Sequence, residues 1–337
     1  MAAGAWDRSG LALAAGLMVV LAGCGGSPTT SRSSPAPVHL VVAYSERYEG
    51  QLPVWLTQES GIFKKHGLDV DLQYIASSNA IAALVSGQTQ ISQGGGSEAV
   101  SAVAGGEDLV IIGNLIPVYP YVFEVVPSIK AVSDLRGKKI GVSQPGSESD
   151  IATRAALEKV GLQPDRDVTI VPVGSSQNRT AALERGAIDG GLDQPPYSIL
   201  LERQGLHPLF DLASLKLPTV NNGIIVRRSY LRTHRDVLQR YVDALVEGIA
   251  LMKKNETLSI SVLEKYLKLN DRAALQATYR FATRELFPSL PTIDTEQLQD
   301  IVTVLAAKNP RVGRLRPSSV IDDSLVENAG RTRSARG

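Results

Sequence analysis

The chain between residues 38 and 112 alternates short apolar runs with segments whose apolar residues recur every three or four positions. Residues 38–43 (VHLVVA) have the pattern of a buried strand, and 68–75 (LDVDLQYI) alternate apolar and polar side chains. The predicted order is strand 38–43, helix 53–65, strand 68–75, helix 80–85, a strand from 91, helix 98–104 and strand 109–112. This alternation predicts a parallel sheet with crossover helices.

The same pattern then starts again further along the chain. Its predicted elements are strand 139–142, a helix from 146 to 160, strand 168–173, helix 180–184 and strand 188–192. Glycines follow two of the helices, at Gly161 and Gly186, where a helix commonly ends. After a further strand at 223–227, the chain to about residue 309 is predicted to be mostly helical. The sequence therefore predicts two successive sets of strands and helices.

The N-terminal segment has the features of a secretory signal. Residues 11–21 are uninterrupted Leu, Ala, Gly, Met and Val after Arg8, and this run is shorter than the about 20 residues that span a bilayer. Leu21-Ala22-Gly23-Cys24 resembles the bacterial lipobox, in which the cysteine is lipidated and the chain is cut before it. We therefore expect a signal peptide at 1–23 and a lipid anchor on Cys24; a plain signal peptide with an incidental cysteine is the alternative.

Polar segments flank the predicted globular part. Residues 24–37 include SPTTSRSSPAP, a Ser, Thr and Pro composition that gives a flexible tether. Residues 313–337 are rich in Arg, Ser and Gly and are predicted to be a disordered tail.

Composition excludes several classes of function. The 337 residues are 43% hydrophobic and 20% charged with a net charge of +1, so no strong field would attract nucleic acid. Cys24 is the only cysteine, which excludes an internal disulfide and a cysteine-rich metal or redox site. The four histidines are not paired at metal-ligand spacing, and no GxSxG, HExxH or P-loop motif is present. We predict no catalytic residue, metal or cofactor.

Four short stretches carry a resemblance to a known family. They are residues 60–70 (SGIFKKHGLDV), 84–91 (LVSGQTQI), 134–142 (DLRGKKIGV) and 182–190 (ALERGAIDG). In this order and spacing over about 38–310, the chain resembles the type II periplasmic binding proteins, in the NMT1/THI5-like branch with sulfonate-, nitrate- and thiamine-precursor-binding proteins. The resemblance implies a monomeric α/β protein that captures a small molecule outside the cytoplasm and delivers it to an ABC permease.

The resemblance also implies a division into two lobes. Lobe one would comprise 38–118 and 223–312, and lobe two 119–222. The chain would cross between the lobes near 117–126 and 219–226. The ligand would lie in the cleft, where hinge closure would trap it.

Candidate ligand contacts follow from the fold class, because open parallel sheets bind ligands beyond the carboxyl ends of their strands, beside helix N-termini. Loops at these positions supply polar side chains or glycines that let a ligand approach the backbone. The predicted contacts are Tyr44, Ser45, Tyr48, Gln51, Ser77, Ser78, Asn79, Gly94, Gly95, Gly96, Ser97, Tyr119, Gln144, Gly146, Ser147, Asp193 and Asn222.

The charges near these loops bear on the ligand. Acidic residues outnumber the candidate cations Arg47 and Arg179, whereas a dedicated sulfonate site would often contain an arginine fork. The composition favours a neutral or weakly basic organic ligand such as a thiamine-type pyrimidine, with a sulfonate held by helix N-termini as the alternative. A sensor that presents its ligand to a membrane receptor, and less readily an enzyme on the same fold, are the other functions considered.

Overall fold

Two five-stranded sheets organise the chain. The computed structural model describes residues 36–76, 78–212 and 218–334, with only the backbone of Ser78. The first sheet contains β1 (Val38–Tyr44), β2 (Leu68–Tyr74), β3 (Ile91–Gly94), β4 (Leu109–Asn114) and β10 (Gly223–Arg227). The second contains β5 (Val122–Val125), β6 (Lys139–Val142), β7 (Thr169–Pro172), β8 (Gly190–Asp193) and β9 (His207–Asp211). Residues 1–23, the predicted signal peptide, and Cys24 lie outside the described residues, so their roles stay predictions.

The strand order explains the sequence patterns. The first sheet runs β2-β1-β3-β10-β4 and the second β7-β6-β8-β5-β9. β1 is flanked by parallel strands on both sides, and its Leu40 and Val42 are fully buried. β2 is an edge strand whose Asp69 and Asp71 are exposed, which accounts for its alternating pattern.

Each sheet contains one strand that runs antiparallel to its neighbours, although the sequence predicted parallel sheets. β10 runs antiparallel to β3 and β4, and β5 runs antiparallel to β8 and β9. β5 and β10 are each the first strand after the chain passes from one sheet to the other. Each runs in the direction opposite to the strands beside it in its new sheet. The sheets are therefore mixed, and β5 lies inside the range 117–126 that was predicted as a crossing.

The two crossings lie side by side. They comprise 115–121 and 212–222, of which 213–217 are outside the described residues. Backbone hydrogen bonds join them: the N–H of Thr219 donates to Pro117 O at 2.9 Å, and the N–H of Leu115 donates to Asn222 O at 2.8 Å. The second crossing was predicted at 219–226, but β10 begins at Gly223.

Helices cover both sheets. Around the first sheet lie α1 (Leu52–Glu59), α2 (Ile62–Lys65), α3 (Ser78–Ser86), α4 (Gly96–Gly105), α8 (Arg228–Thr233), α9 (Arg235–Lys254), α10 (Glu256–Leu267), α11 (Arg272–Phe281), α12 (Gln299–Lys308) and α13 (Ser324–Ser334). Around the second lie α5 (Glu148–Lys159), α6 (Ser176–Glu184) and α7 (Tyr197–Arg203). We call the first sheet with its helices the first lobe, and the second sheet with its helices the second lobe.

Close helix packing builds the core of the first lobe. α1 lies against α9, where a side chain at Gly248 would overlap Thr57 Oγ1, so glycine permits the contact. Trp55 of α1 stacks on Tyr266 of α10 with ring centroids 4.7 Å apart. The single predicted helix 53–65 is two helices, because Gly61 between them is left-handed, with φ of 74°.

The C-terminal segment is ordered where the sequence predicted a disordered tail. Residues 312–334 form two single turns and α13, with Val320, Leu325 and Val326 buried. The backbone of this segment pairs with β4, since the N–H of Ile111 donates to Val320 O at 2.9 Å. The prediction was wrong because the few apolar residues here are spaced among many Arg and Ser and still pack on the core.

In the part of the chain that the structure describes, no helix combines the length and apolar character needed to cross a bilayer.

Candidate functional site

A cavity lies between the two lobes at the carboxyl ends of β1, β3 and β6. Residues from both lobes and both crossings line it: Ser45, Glu46, Tyr48, Gly95, Glu98, Tyr121, Ser147, Glu148, Ser149 and Asn221. Its volume of about 20 Å³ is the space that one water molecule needs. The lobes are thus close together in this conformation, and a larger ligand requires the cleft to open or its side chains to move.

A chain of hydrogen bonds joins the crossings to the cavity wall. Tyr48 Oη donates to Asn221 Oδ1, and Asn221 Nδ2 donates to Tyr121 Oη, each at 3.0 Å. Burial raises the pKa of both tyrosines well above 10, and neighbouring carboxylates raise it further. The two phenols therefore stay protonated, and the network orients them beside the cavity.

Two carboxyl groups meet across the cleft, one from each lobe. Burial raises the pKa of Glu98 on α4 to about 7, although the Ser97 hydroxyl lowers it by donating at 2.7 Å. Burial and the charge of Glu98 raise the pKa of Glu148 on α5 to about 8. Because burial disfavours both charges and the charge of Glu98 disfavours that of Glu148, the pair readily holds a proton at neutral pH.

A third carboxyl, that of Glu46, faces a buried cation. Burial raises the pKa of Glu46, and the charge of Arg179 opposes this effect. Arg179 donates to Ser143 Oγ at 3.3 Å and also lowers the pKa of Asp193, whose pKa burial raises. The charge of Arg179 therefore acts on two carboxyls of the protein itself, while its buried Nε has no hydrogen-bond partner among the described residues.

Polar contacts close the cleft beside the cavity. The carbonyl oxygen of Arg47, in the first lobe, accepts hydrogen bonds from Gln177 Nε2 at 2.7 Å and Tyr197 Oη at 3.2 Å. Both donors belong to the second lobe. The Arg47 guanidinium lies over the Tyr74 ring at 4.3 Å from its centroid, which holds this loop in place.

Several predicted contacts lie at this site. Ser45, Tyr48, Gly95 and Ser147 line the cavity. Gly94 lines a small adjoining cavity, and Gln144 and Gly146 line another of about 200 Å³ beside Glu98. Gly94 is the last residue of β3 and the others follow β1, β3 or β6, as the position of binding loops in α/β sheets predicts.

The other predicted contacts lie outside this cavity. Tyr44 is in the core, edge-on to Trp55 with centroids 5.7 Å apart, because it points to the opposite side of β1 from Ser45. Tyr119 packs in the core of the second lobe, and Asn79 is exposed on α3.

The remaining predictions concern buried residues close to the cleft. Gln51, Ser97, Asp193 and Asn222 are buried without lining the cavity, and Gly96 packs against Val220. Ser77 lies outside the described residues, and the side chain of Ser78 is not described.

Six residues that line the cavity were not among the predicted contacts, although the acids lay near the predicted loops and Tyr121 on a predicted crossing: Glu46, Glu98, Tyr121, Glu148, Ser149 and Asn221. Position offered a signal for two of them, since Glu98 and Glu148 lie in the first turns of helices that follow strands. Acidic residues are common in first turns for helix stability alone. Glu98 and Glu148 are distinguished from other acidic residues in first turns only because the two lobes bring them together at the cavity.

The acids do not form a metal site. Across residues 36–76, 78–212 and 218–334, no group of three or more His, Cys, Asp or Glu side chains is placed to hold a metal ion.

Known structures with the same architecture identify the class. A protein from Bordetella bronchiseptica RB50 matches with a TM-score of 0.75 and 21% identity, over 88% of this chain and 98% of the other. The alkanesulfonate-binding protein SsuA from Xanthomonas axonopodis pv. citri matches at 0.68 and 20%, over 88% and 99%. The nitrate-binding protein NrtA from Synechocystis PCC 6803 matches at 0.69 and 13%, over 89% and 90%. The fold is that of the periplasmic substrate-binding proteins.

The family follows from sequence. The model of the NMT1/THI5-like family matches residues 50–257, and the chain belongs to that family. Relatives from Brucella abortus and Brucella melitensis, named as binding proteins, are 25% identical over 254 residues, which cover 74% of this chain and 77% of theirs.

Proposed function

We propose that this protein captures a small organic solute in the cleft between its lobes and delivers it to an ABC permease. The observation that carries the proposal is the cavity itself, which both lobes and both crossings line. A site of this kind binds its ligand most completely when the lobes close, so occupancy and shape change together. A permease that recognises the closed shape would then receive the loaded protein.

The chemistry of the cavity favours a neutral or weakly basic nitrogenous ligand, such as a pyrimidine. Three carboxyls and two phenols face it or adjoin it, and the charges of Glu46 and Asp193 oppose that of the nearby buried cation, Arg179. Similar structures belong to an alkanesulfonate-binding and a nitrate-binding protein, so oxyanions are the alternative to test.

A thermal-shift screen of the purified protein tests the proposal. The panel contains pyrimidines, other nitrogen heterocycles, alkyl and aryl sulfonates, nitrate and carboxylates. A ligand at 100 times its Kd stabilises the folded state by about 2.7 kcal/mol, a clear rise in melting temperature. Stabilisation by a nitrogen heterocycle supports the proposal, stabilisation only by sulfonates overturns the ligand class, and no stabilisation by any solute counts against the function.

We also propose that Cys24 anchors the protein to a membrane through covalently attached lipid. Its support is the sequence Leu21-Ala22-Gly23-Cys24 at the end of an apolar run. Cys24→Ala should abolish incorporation of labelled fatty acid and release the protein from membranes without changing solute affinity. Unchanged membrane retention would contradict the proposal.

A further inference from the structure

The carboxylate of Glu98 lies where two helix N-termini converge. Glu98 is in the first turn of α4, and both its carboxylate and the Cβ of Glu148, the first residue of α5, lie beside the position that a Cβ on Gly95 would take. The backbone N–H groups of Glu98 and Glu148 are therefore near this carboxylate. Both N–H groups are close enough to lower its pKa, against the larger raising effect of burial. The side chain from the first lobe therefore reaches the start of a helix in the second lobe.

Helix N-termini favour negative charge, because their first N–H groups have no partner within the helix. Two such ends that face one another form a site suited to a phosphate, sulfonate or carboxylate of a ligand. In this protein a carboxylate of the chain itself occupies that position.

Gly95 makes this arrangement sterically feasible. A Cβ at this position would overlap the Glu98 carboxylate and lie 3.2 Å from Glu148 Cβ. The backbone of Gly95 is extended, with φ of −65° and ψ of 143°, a conformation open to any residue. The requirement for glycine therefore comes from the approach of Glu98 and Glu148, not from the backbone.

An unsatisfied acceptor points to the group that the site binds. Glu148 lines the cavity and is 7% exposed. Its Oε1 accepts a hydrogen bond from Thr219 Oγ1 at 2.9 Å, whereas its Oε2 finds no hydrogen-bond partner among the described residues. Asn221 is near enough to lower the pKa of Glu148 but does not complete a hydrogen bond to Oε2. The buried Oε2 of Glu148 requires a hydrogen-bond donor, because an unpaired buried acceptor is unfavourable. A cationic donor would interact favourably with the carboxyls of both Glu148 and Glu98.

We propose that Glu98 determines ligand specificity: it fills the anion position between the N-termini of α4 and α5, excludes oxyanion ligands, and together with Glu148 binds a protonated nitrogen of an organic ligand. The inference rests on the proposed function, because it takes the cavity as the solute site. It narrows the ligand class to amines, amidines and basic heterocycles. Closure then brings one carboxyl from each lobe onto the same cationic group.

The test asks whether removal of the Glu98 carboxylate allows the protein to bind oxyanions, with methanesulfonate and inorganic sulfate as probes. Glu98→Ser removes the carboxylate, leaves the backbone N–H groups, and enlarges the adjoining cavity by the volume of the lost atoms. Isothermal titration calorimetry should show that the variant binds methanesulfonate about tenfold or more tightly than the wild type, since a like charge at a binding site costs several kcal/mol. The matched control is Glu107→Ser, which makes the same charge change at an exposed position just beyond α4 and should leave methanesulfonate affinity unchanged.

A second variant keeps the test decisive if Glu148 alone still repels the anion. Glu98→Ser combined with Glu148→Gln removes both charges while the amide retains the size of the second side chain. Failure of both variants to bind either oxyanion, with cooperative unfolding preserved, overturns the inference. Wild-type protein that binds methanesulfonate as tightly as the variants also overturns it.

These outcomes are separate from the proposed function. The oxyanion experiment does not need the natural ligand, so the inference can fail while the wild type still binds a solute in the thermal-shift screen. Conversely, gained oxyanion binding supports the inference even where that screen yields no ligand.

Discussion

The two helices that meet across the cleft begin in different ways. α5 has a local cap, since Ser147 Oγ accepts a hydrogen bond from the N–H of Asp150 at 3.4 Å. The N-cap residue of α4 is Gly95, which has no side chain that could accept a hydrogen bond, and the N–H of Gly96 donates to Val220 O of the second crossing at 2.8 Å. The first N–H groups of α5 thus find a hydrogen-bond partner within their own lobe, whereas the first N–H of α4 finds its partner in the second crossing, beside the cleft. Changes at α4 should therefore act on ligand binding, and changes at α5 on stability as well.

Gly95→Ala should have the largest effect, because its Cβ would overlap the Glu98 carboxylate and crowd Glu148. The Glu98 side chain can turn away when the lobes are apart, so the melting temperature of the free protein should change little. Closing the second lobe onto the crowded position costs about 1–3 kcal/mol, so solute affinity should fall by about fivefold to a hundredfold. Calorimetric titration of the solute found in the screen measures the loss.

The control for this variant lies at the other end of the same helix. Gly105→Ala adds the same methyl group where nothing lies within 4 Å, and it should leave affinity unchanged. Equal losses in both variants would show that the packing at the start of α4 has no special role.

The pH dependence of stability should distinguish the cleft from the surface. The pKa values of Glu98 and Glu148, about 7 and about 8 in the folded protein, lie above the ordinary value of 4.5. The folded state therefore binds these protons more tightly than the unfolded chain. Their stabilising contribution is complete below pH 4.5 and is lost progressively as pH rises from 4.5 through 7 to 8. The melting temperature should therefore fall between pH 4.5 and about 8 and level off above it.

Glu148→Gln should reduce this pH dependence, because the amide resembles the protonated acid. Glu46, Tyr48 and Tyr121 face the same cavity and Arg179 lies beside Glu46, so some dependence will remain. The pKa of Glu124 on β5 is also raised, to about 8, by burial. Melting curves from pH 5 to 9 measure the slope, and a slope identical to that of the wild type would contradict the assignment.

Ser147→Ala should have the smallest effect and should act mainly on stability. Loss of an N-cap hydroxyl costs about 1 kcal/mol. Ser175→Ala removes the equivalent cap of α6, where Ser175 Oγ accepts from the N–H of Asn178 at 3.2 Å, outside the cavity lining. Chemical denaturation should give similar losses for the two variants, with solute affinity lowered only in Ser147→Ala. Lowered affinity in both would show that the cap, and not the cavity position, matters.

The sequence predicted the elements whose pattern is local. The buried run of β1, the alternation of β2 and the glycines that end helices were sufficient for alternating strands and helices, whereas the two-lobed architecture was predicted only from the family resemblance. β5 and β9 were missed because each is a short strand near a crossing, and only pairing with a distant strand defines them. Tyr44 was selected beside Ser45, although adjacent residues on a strand point to opposite faces.

The charges of the site depended on information that the sequence lacks. Acidic residues at the starts of two helices predict helix stability equally well in any α/β protein. Glu98 and Glu148 become distinctive only because the two lobes bury them against each other, which raises the pKa of both. That burial depends on the relative placement of two sheets, and no local pattern specifies it.

The ordered C-terminal segment has a consequence for association between copies of the chain. β4 is the last strand of its sheet, and residues 320–322 pair with its free side through the backbone of Ile111. Open strand edges are templates for association between copies, and proteins usually cover or disrupt them. This short segment therefore covers an edge that would otherwise be open to pairing between copies, and a chain cut after Asn309 would lose that cover together with the buried side chains of Val320, Leu325 and Val326.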